Sequence, residues 1–335
     1  MIKFKKVKQK RWIMKKVLLK ILTLSVVVCM AIAMLTACSG GSDVCTHSNV
    51  GDWINDKTAT CTVLGARHKE CLDCGEKVDE ETVLLAGHSF TGGMCSVCRC
   101  KQGTDGLEFS KISGKEEYAV SGIDTATETE IVIQTSYNGL PVTAISENAF
   151  INSVIESVEI QQGILTVGQS AFENCTALRS VYFGRNCSLE SIGDKAFAGC
   201  VVLQELEFVA SLKNIGASAF AGCAQLYSVS FANDSVFETI GEKAFENCVA
   251  LASVTLPENI KTIRAYAFSG CTSLLTINIP SGLMNFGECA FFGCTEIVVS
   301  CGIVAIEKPQ GWESKWNDID NLGTKCQVEW NSYQK

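Results

Sequence analysis

The dipeptide Ala-Phe occurs seven times between residues 149 and 291, ending at Phe150, Phe172, Phe197, Phe220, Phe245, Phe268 and Phe291, at intervals of 22, 25, 23, 25, 23 and 23 residues. Units this short cannot bury an apolar face alone. They must bury it against near-identical neighbours, which makes a solenoid. Other positions recur in step. Five residues before each Phe stands an apolar anchor: Ile145, Val167, Ile192, Ile215, Ile240, Ile263 or Phe286. Gly follows the anchor in five of the seven units. Three residues after Phe comes Cys175, Cys200, Cys223, Cys248, Cys271 or Cys294, with Ser153 in the first unit.

A strand-like triplet closes each unit: Leu178, Val181, Phe183; Leu203, Leu206, Phe208; Leu226, Val229, Phe231; Leu251, Val254, Leu256; Leu274, Ile277, Ile279. Its last two members sit at period two, which places them on one face of a strand. The stretch from anchor to Cys is too short for an independent helix, leaving a single helical turn or a tight bend on the opposite side. From last strand residue to next anchor most units take seven steps, but Phe183 to Ile192 and Phe231 to Ile240 take nine. Both insertions fall in the same loop, where a solenoid lets extra residues bulge outward.

Together these positions resemble the bacterial surface-protein form of the leucine-rich repeat, called BspA-like, with a unit close to LxxIxLPxxLxxIGxxAFxxCxx. The resemblance covers about residues 104 to 335. It implies a leucine-rich-repeat solenoid of α/β class, β-rich, with about seven repeats of 22–25 residues and a cap at each end. The reading places an N-terminal cap at 102–144, repeats at 145–301 and a C-terminal cap at 302–335. In the first cap, Leu107, Phe109, Tyr118, Val120 and Ile131 to Ile133 form strand-like runs, and Asn138-Gly139 is a turn signal. Towards the other end Ser300 stands where an apolar strand residue is expected, and Trp312, Trp316 and Trp330 are assigned to covering the last coil.

The N-terminus reads as an address. Residues 1–37 carry eight Lys, one Arg and no acid, and Ile21 to Ala37 is largely apolar. Leu35-Thr36-Ala37-Cys38 looks like a lipobox, the signal of bacterial lipoproteins, which implies lipid on Cys38, a tether at 38–44 and export to the outer face of the membrane. An ordinary signal peptide or a membrane anchor is the other reading, and Met14-Lys15-Lys16 offers a second start. The chain carries 28 basic and 36 acidic residues, a net −8, and without residues 1–37 the balance falls to −17. Such acidity excludes a nucleic-acid binder, and contact with membrane is left to the lipid.

Residues 45–101 differ in composition, with Cys45, Cys61, Cys71, Cys74, Cys95, Cys98 and Cys100 and all three histidines, His47, His68 and His88. The pairs Cys71-x-x-Cys74 and Cys95-x-x-Cys98 have the spacing by which one tight turn presents two thiolates to a tetrahedral zinc. The run resembles small cysteine-histidine modules, zinc-ribbon-like, found before such repeats, through Ala59-Thr60-Cys61, CxxCG and Gly87-His88. Under the zinc reading the ligands are Cys61, Cys71, Cys74, Cys95, Cys98, His47 and His88, unpartitioned between sites. Disulfides and redox-active thiols are the alternatives in an exported protein. A module with so few large apolar side chains needs a staple of one kind or another.

No histidine lies beyond His88, so a catalytic triad within the repeats is excluded, as are a GxxxxGK phosphate loop and a GxGxxG turn opening a helix after a strand. No enzyme is expected. The six repeat cysteines suit a tight apolar layer better than a reactive row. What a solenoid offers is surface. Seven outward strand rows about 4.8 Å apart make a sheet roughly 30 Å long. Its contact residues are Glu159, Arg179, Tyr182, Gln204, Glu207, Tyr227, Ser230, Thr255 and Asn278, with the tyrosines as anchors. The expected role is protein binding or adhesion, to proteins or surface components of a host or of neighbouring bacteria. The alternative is an envelope spacer presenting the zinc-binding or thiol module.

Overall fold

The computed structural model describes residues 45–184, 186–302 and 309–330. The leader, the lipobox with Cys38 and the tether lie outside the described residues. Two compact units are present: the described residues up to Thr58 with Gly65–Val83, and Ala59–Leu64 with Leu84 onward. The run 45–101 therefore contributes to both.

The first unit is a three-stranded antiparallel sheet of Ile54–Lys57, Gly65–Glu70 and Lys77–Val83. Its packing is largely polar. Arg67 and Lys69 lie over the Trp53 ring at 4.5 and 4.9 Å from its centroid, and His68 is buried against the Asp56 and Glu70 carboxylates.

The second unit is the solenoid. Each coil has a strand such as Ser157–Ile160, a loop, a two-residue strand carrying the anchor such as Thr166–Val167, and the Ala-Phe bend. The anchor strands pair in parallel from coil to coil, in a ladder running from the antiparallel pair Leu107–Lys111 and Tyr118–Ile123 to Asn285–Phe286. The Asn138-Gly139 turn, with φ of 50° and 74°, joins Ser136–Tyr137 to Leu140–Ile145.

Among the described residues there is no helix, which corrects the α/β class to an all-β solenoid. The reason lies in where alternate N–H groups of the bend point, those between them closing only single turns, such as Ala171 N to Gly168 O at 3.4 Å. Phe150 N donates to Ala171 O at 2.7 Å, Phe172 N to Ala196 O at 2.7 Å and Phe197 N to Ala219 O at 2.7 Å, each reaching the next coil rather than its own preceding turn. Left-handed residues bracket the pair, Ser170 (φ 52°) and Asn174 (φ 59°) around Phe172, and these interrupt any helix. The bend thus stacks axially like a strand. Its rings form a column, with Phe150, Phe172, Phe197 and Phe220 spaced 5.0, 5.0 and 5.2 Å apart and planes within 15°.

Glycine after the anchor has a steric cause. A Cβ on Gly241 would lie 2.4 Å from the carbonyl of Gly216 in the coil before, and one on Gly287 would lie 2.2 Å from Ala265 N. A further buried row, Ile164, Leu189, Leu212, Phe237, Ile260 and Leu283, stands three residues before the anchors and completes the core.

At the C-terminal end Ile277 pairs with Val299 and Ile279 with Cys301. Val299 and Cys301 therefore hold the apolar positions, and Ser300 points outward beside Asn278, correcting the expected register by one residue. Trp312 and Trp316 are buried on Phe286, at centroid distances of 5.0 and 4.8 Å, and Trp330 packs 5.9 Å from Trp312. Cys301 and Cys326 are separate buried thiols there.

The strand face is not one continuous sheet. It divides into three parallel three-stranded sheets: Glu130–Ile133, Ser157–Ile160 and Ser180–Phe183; Glu205–Phe208, Ser228–Phe231 and Ser253–Val254; Thr276–Ile279, Val298–Cys301 and Gln327–Trp330. Across the first gap the Phe183 and Phe208 rings are 6.1 Å apart, against 5.1 Å for Phe208 and Phe231, whose strands pair.

Candidate metal centres and strand face

The Cys/His-rich residues converge into two groups, each with four donor atoms all within 4.8 Å of one another: Cys45, His47, Cys71 and Cys74 in the first unit, Cys61, His88, Cys95 and Cys98 in the second. All seven ligands expected from the sequence fall in these groups. Cys45 is the one the spacing argument left out, and its only local signal is the Cys45-x-His47 pair. His68 belongs to neither.

Both CxxC pairs are built by the same turn. Cys71 N donates to Glu76 O at 2.9 Å and Gly75 N returns to Cys71 O at 2.8 Å. Cys95 N donates to Cys100 O at 2.8 Å and Arg99 N returns to Cys95 O at 3.0 Å. The residue after each pair is left-handed, Gly75 with φ 77° and Arg99 with φ 65°. Each turn brings both sulfurs to its group, Cys71 and Cys95 buried and Cys74 exposed, and aims backbone N–H groups at the first of them.

The histidines are oriented alike. His47 Nδ1 lies 3.5 Å from Cys74 Sγ while its Nε2 meets the Glu76 carboxylate at 3.2 Å. His88 Nδ1 lies 3.5 Å from Cys98 Sγ while its Nε2 bonds Thr135 Oγ1 at 3.0 Å. An outer oxygen fixing one ring nitrogen so that the other faces a cation is the usual arrangement of a metal-bound imidazole. Zinc with Zn–S bonds of about 2.3 Å holds tetrahedral sulfurs about 3.8 Å apart. Cys45 and Cys71 Sγ stand at 3.5 Å, so three thiolates and one imidazole fit that ion in each group. Cys100 is a spare donor, 3.2 Å from Cys98 Sγ and 3.5 Å from His88 Nδ1.

The electrostatics differ between first and flanking thiols. The backbone N–H of Asp73, aided by His47, brings Cys71 down to about 6. Burial works against Cys95, but the N–H of Cys98 and the His88 ring outweigh it and bring it to about 5. Burial and the neighbouring Cys98 push Cys61 up to about 12. The repeat cysteines behave otherwise: burial raises Cys223, Cys248 and Cys271 far above the ordinary thiol range. Those thiols stay protonated, and each donates to a Phe carbonyl of an earlier coil, as Cys223 Sγ does to Phe197 O at 3.3 Å.

On the strand face Arg179, Tyr182, Gln204, Glu207, Tyr227, Thr255 and Asn278 are exposed, and Glu159 and Ser230 are half-buried. Tyr182 is 58% and Tyr227 46% exposed. A groove of about 690 Å³ opens at the first gap in the ladder, lined by residues including Arg179, Tyr182, Gln204, Glu207 and Ser230. Tyr227 O–H donates to Glu205 Oε2 at 3.0 Å beside it. A smaller one of about 270 Å³ marks the second gap, between Ser253 and Asn278. Neither inserted loop lies wholly in solvent: Cys187 and Leu189 of one, and Ser235 and Phe237 of the other, are buried.

Residues 143–236 and 238–300 match the BspA type leucine rich repeat region in six copies. The fold is similar to that of a leucine rich cell surface protein from Faecalibacterium prausnitzii, with a TM-score of 0.53 and 26% identity over 59% of this chain and 54% of that one. This chain thus spans about half the length of that relative. It is also similar to a leucine rich repeat protein from T. pallidum, with 27% identity over 57% of this chain and 88% of the other and a TM-score of 0.49. No curated protein matches the chain. No helix among the described residues is long and apolar enough to cross a membrane.

Proposed function

We propose that this chain, whose residues 143–236 and 238–300 match the BspA type leucine rich repeat region, is a cell-surface binding or adhesion protein whose contact surface is the outward strand face. The observation that carries the reading is the groove at the first gap in the ladder. Two exposed tyrosines stand at or near its rim, amid the charged side chains of Arg179, Glu205 and Glu207. Tyrosine brings a large apolar area and a hydrogen-bonding tip at small entropic cost, which suits a protein contact. The long loops at 184–191 and 232–239 flank this surface in the chain. Lipid on Cys38 would hold the protein at the outer face of the membrane, and zinc in the two Cys/His groups would be structural, with no catalytic role.

The test is binding of the labelled chain to intact bacterial cells and to immobilised matrix protein. Tyr182→Ala with Tyr227→Ala is expected to weaken it by about 2 kcal/mol, roughly thirtyfold in Kd, without lowering the melting temperature. Undiminished binding by that variant would remove the strand face from consideration. Palmitate incorporation in cells, abolished by Cys38→Ala, tests the anchor separately.

A further inference from the structure

The second Cys/His group does more than staple a small module. We infer that zinc on Cys61, His88, Cys95 and Cys98 is the seal of the solenoid's first end, closing the free edge of its first parallel strand. The inference rests on the zinc reading above and adds to it a coupling between metal and repeat array.

Glu130–Ile133 is the outermost strand of its sheet, with Ser157–Ile160 on one side only. An uncovered strand edge is a template for pairing with another chain, so a solenoid must close it. The closing segment is 101–104. Thr104 N donates to Val132 O at 2.9 Å and Val132 N to Thr104 Oγ1 at 2.8 Å. Buried Gln161 donates through Nε2 to Lys101 O at 3.0 Å and to Ile133 O at 3.1 Å, tying the cover to both coils. A Cβ on Gly103 would fall 2.3 Å from that of Gln134, so this cover lies directly against the chain leaving the strand.

Among the described residues little apolar surface holds that cover from outside: Phe90, stacked on His88 at 5.4 Å, is itself exposed. The buried cluster beneath the second knuckle consists of Cys61, Cys95 and Cys100, with Cys98 packed against it. Sulfur is thus its core, and three small thiols bury too little area to fix a segment. A tetrahedral ion would join the 61 loop, His88 and the knuckle that leads into Lys101, at a point already fastened to the cap. His88 Nε2 bonds buried Thr135, and Leu85 N donates to Gly139 O at 2.9 Å. Metal binding energy then becomes folding energy of the cap.

The experiment uses the full chain, with zinc counted by native mass spectrometry and amide exchange followed at Leu85, Thr104 and Val132, taking Phe220 in mid-array as the internal control. Two zinc ions per chain are expected. Chelation, or Cys95→Ser with Cys98→Ser, should speed exchange at the three cap amides by about tenfold or more while Phe220 stays protected. Cys71→Ser with Cys74→Ser should lose one zinc and leave the cap amides slow. Zinc bound at the second group with cap exchange indifferent to its removal would overturn the seal and leave the zinc reading standing. No zinc, with mass deficits of disulfide bonds instead, would overturn both.

Discussion

Cys223, fully buried, donates its S–H to Phe197 O, and the same bond recurs from Cys175 to Cys294. A buried thiol raised far above its usual range is no nucleophile. The six ladder cysteines should therefore resist iodoacetamide in the native chain and react only on unfolding; rapid native labelling of Cys223 would contradict the packing. Glycine after the anchor is equally strict. Gly241→Ala drives a methyl group against the Gly216 carbonyl, so a loss of about 1–3 kcal/mol is expected in denaturant melts. His68 carries a pH signature. The Asp56 carboxylate, with Glu70, raises its pKa above the ordinary value, against burial and the nearby Lys77. The pair's stabilisation is complete below about pH 6.5 and is lost as pH rises through the higher folded value. An NMR titration should place the His68 midpoint lower in Asp56→Asn, and an unchanged midpoint would refute the ion pair. Of these features the cysteine row was legible in the sequence by its period. The His68 pair was not, since Asp56 lies twelve residues away across a strand pairing.

The Ala-Phe bend shows where sequence reading stops at the level of elements. Its length left a helical turn and a tight bend equally open, because both bring Ala and Phe inward. The choice depends on hydrogen bonds to the next coil, such as Phe172 N to Ala196 O, which no single unit contains. The row from Ile164 to Leu283 stands in the resembled unit as the Leu three places before Ile, but it was not traced among this chain's own residues, because it sits in loops of two lengths and only counting back from the anchor reveals it. The strand triplets were legible, but the two gaps in their ladder were not, because the strands on either side of each gap carry the same pattern as those that pair. The stacked rings predict a steep cost for truncation. Phe220→Ala, which opens the ring column between Phe197 and Phe245, should lose about 3–5 kcal/mol in chemical denaturation. A loss under about 1 kcal/mol would mean that the column contributes little.

At the scale of the molecule, the array was legible because repetition multiplies a weak signal, whereas the Cys/His run occurs once. Its spacing identified ligands but not their partition. Cys61 and His88 are separated from Cys95 and Cys98 by different lengths of chain, and the first group draws Cys45 and His47 from before the sheet that leads to Cys71. With the ligands divided in this way, we propose a structural task for both groups and leave binding to the solenoid. The central claim is that the strand face, not the Cys/His residues, makes the contact. The most direct measurement is a side-by-side binding isotherm on intact cells for the wild-type chain, Tyr182→Ala with Tyr227→Ala, and Cys71→Ser with Cys74→Ser. The tyrosine variant should bind roughly thirtyfold more weakly and the cysteine variant like wild type. The reverse pattern, with binding lost in the cysteine variant and kept in the tyrosine variant, would contradict it.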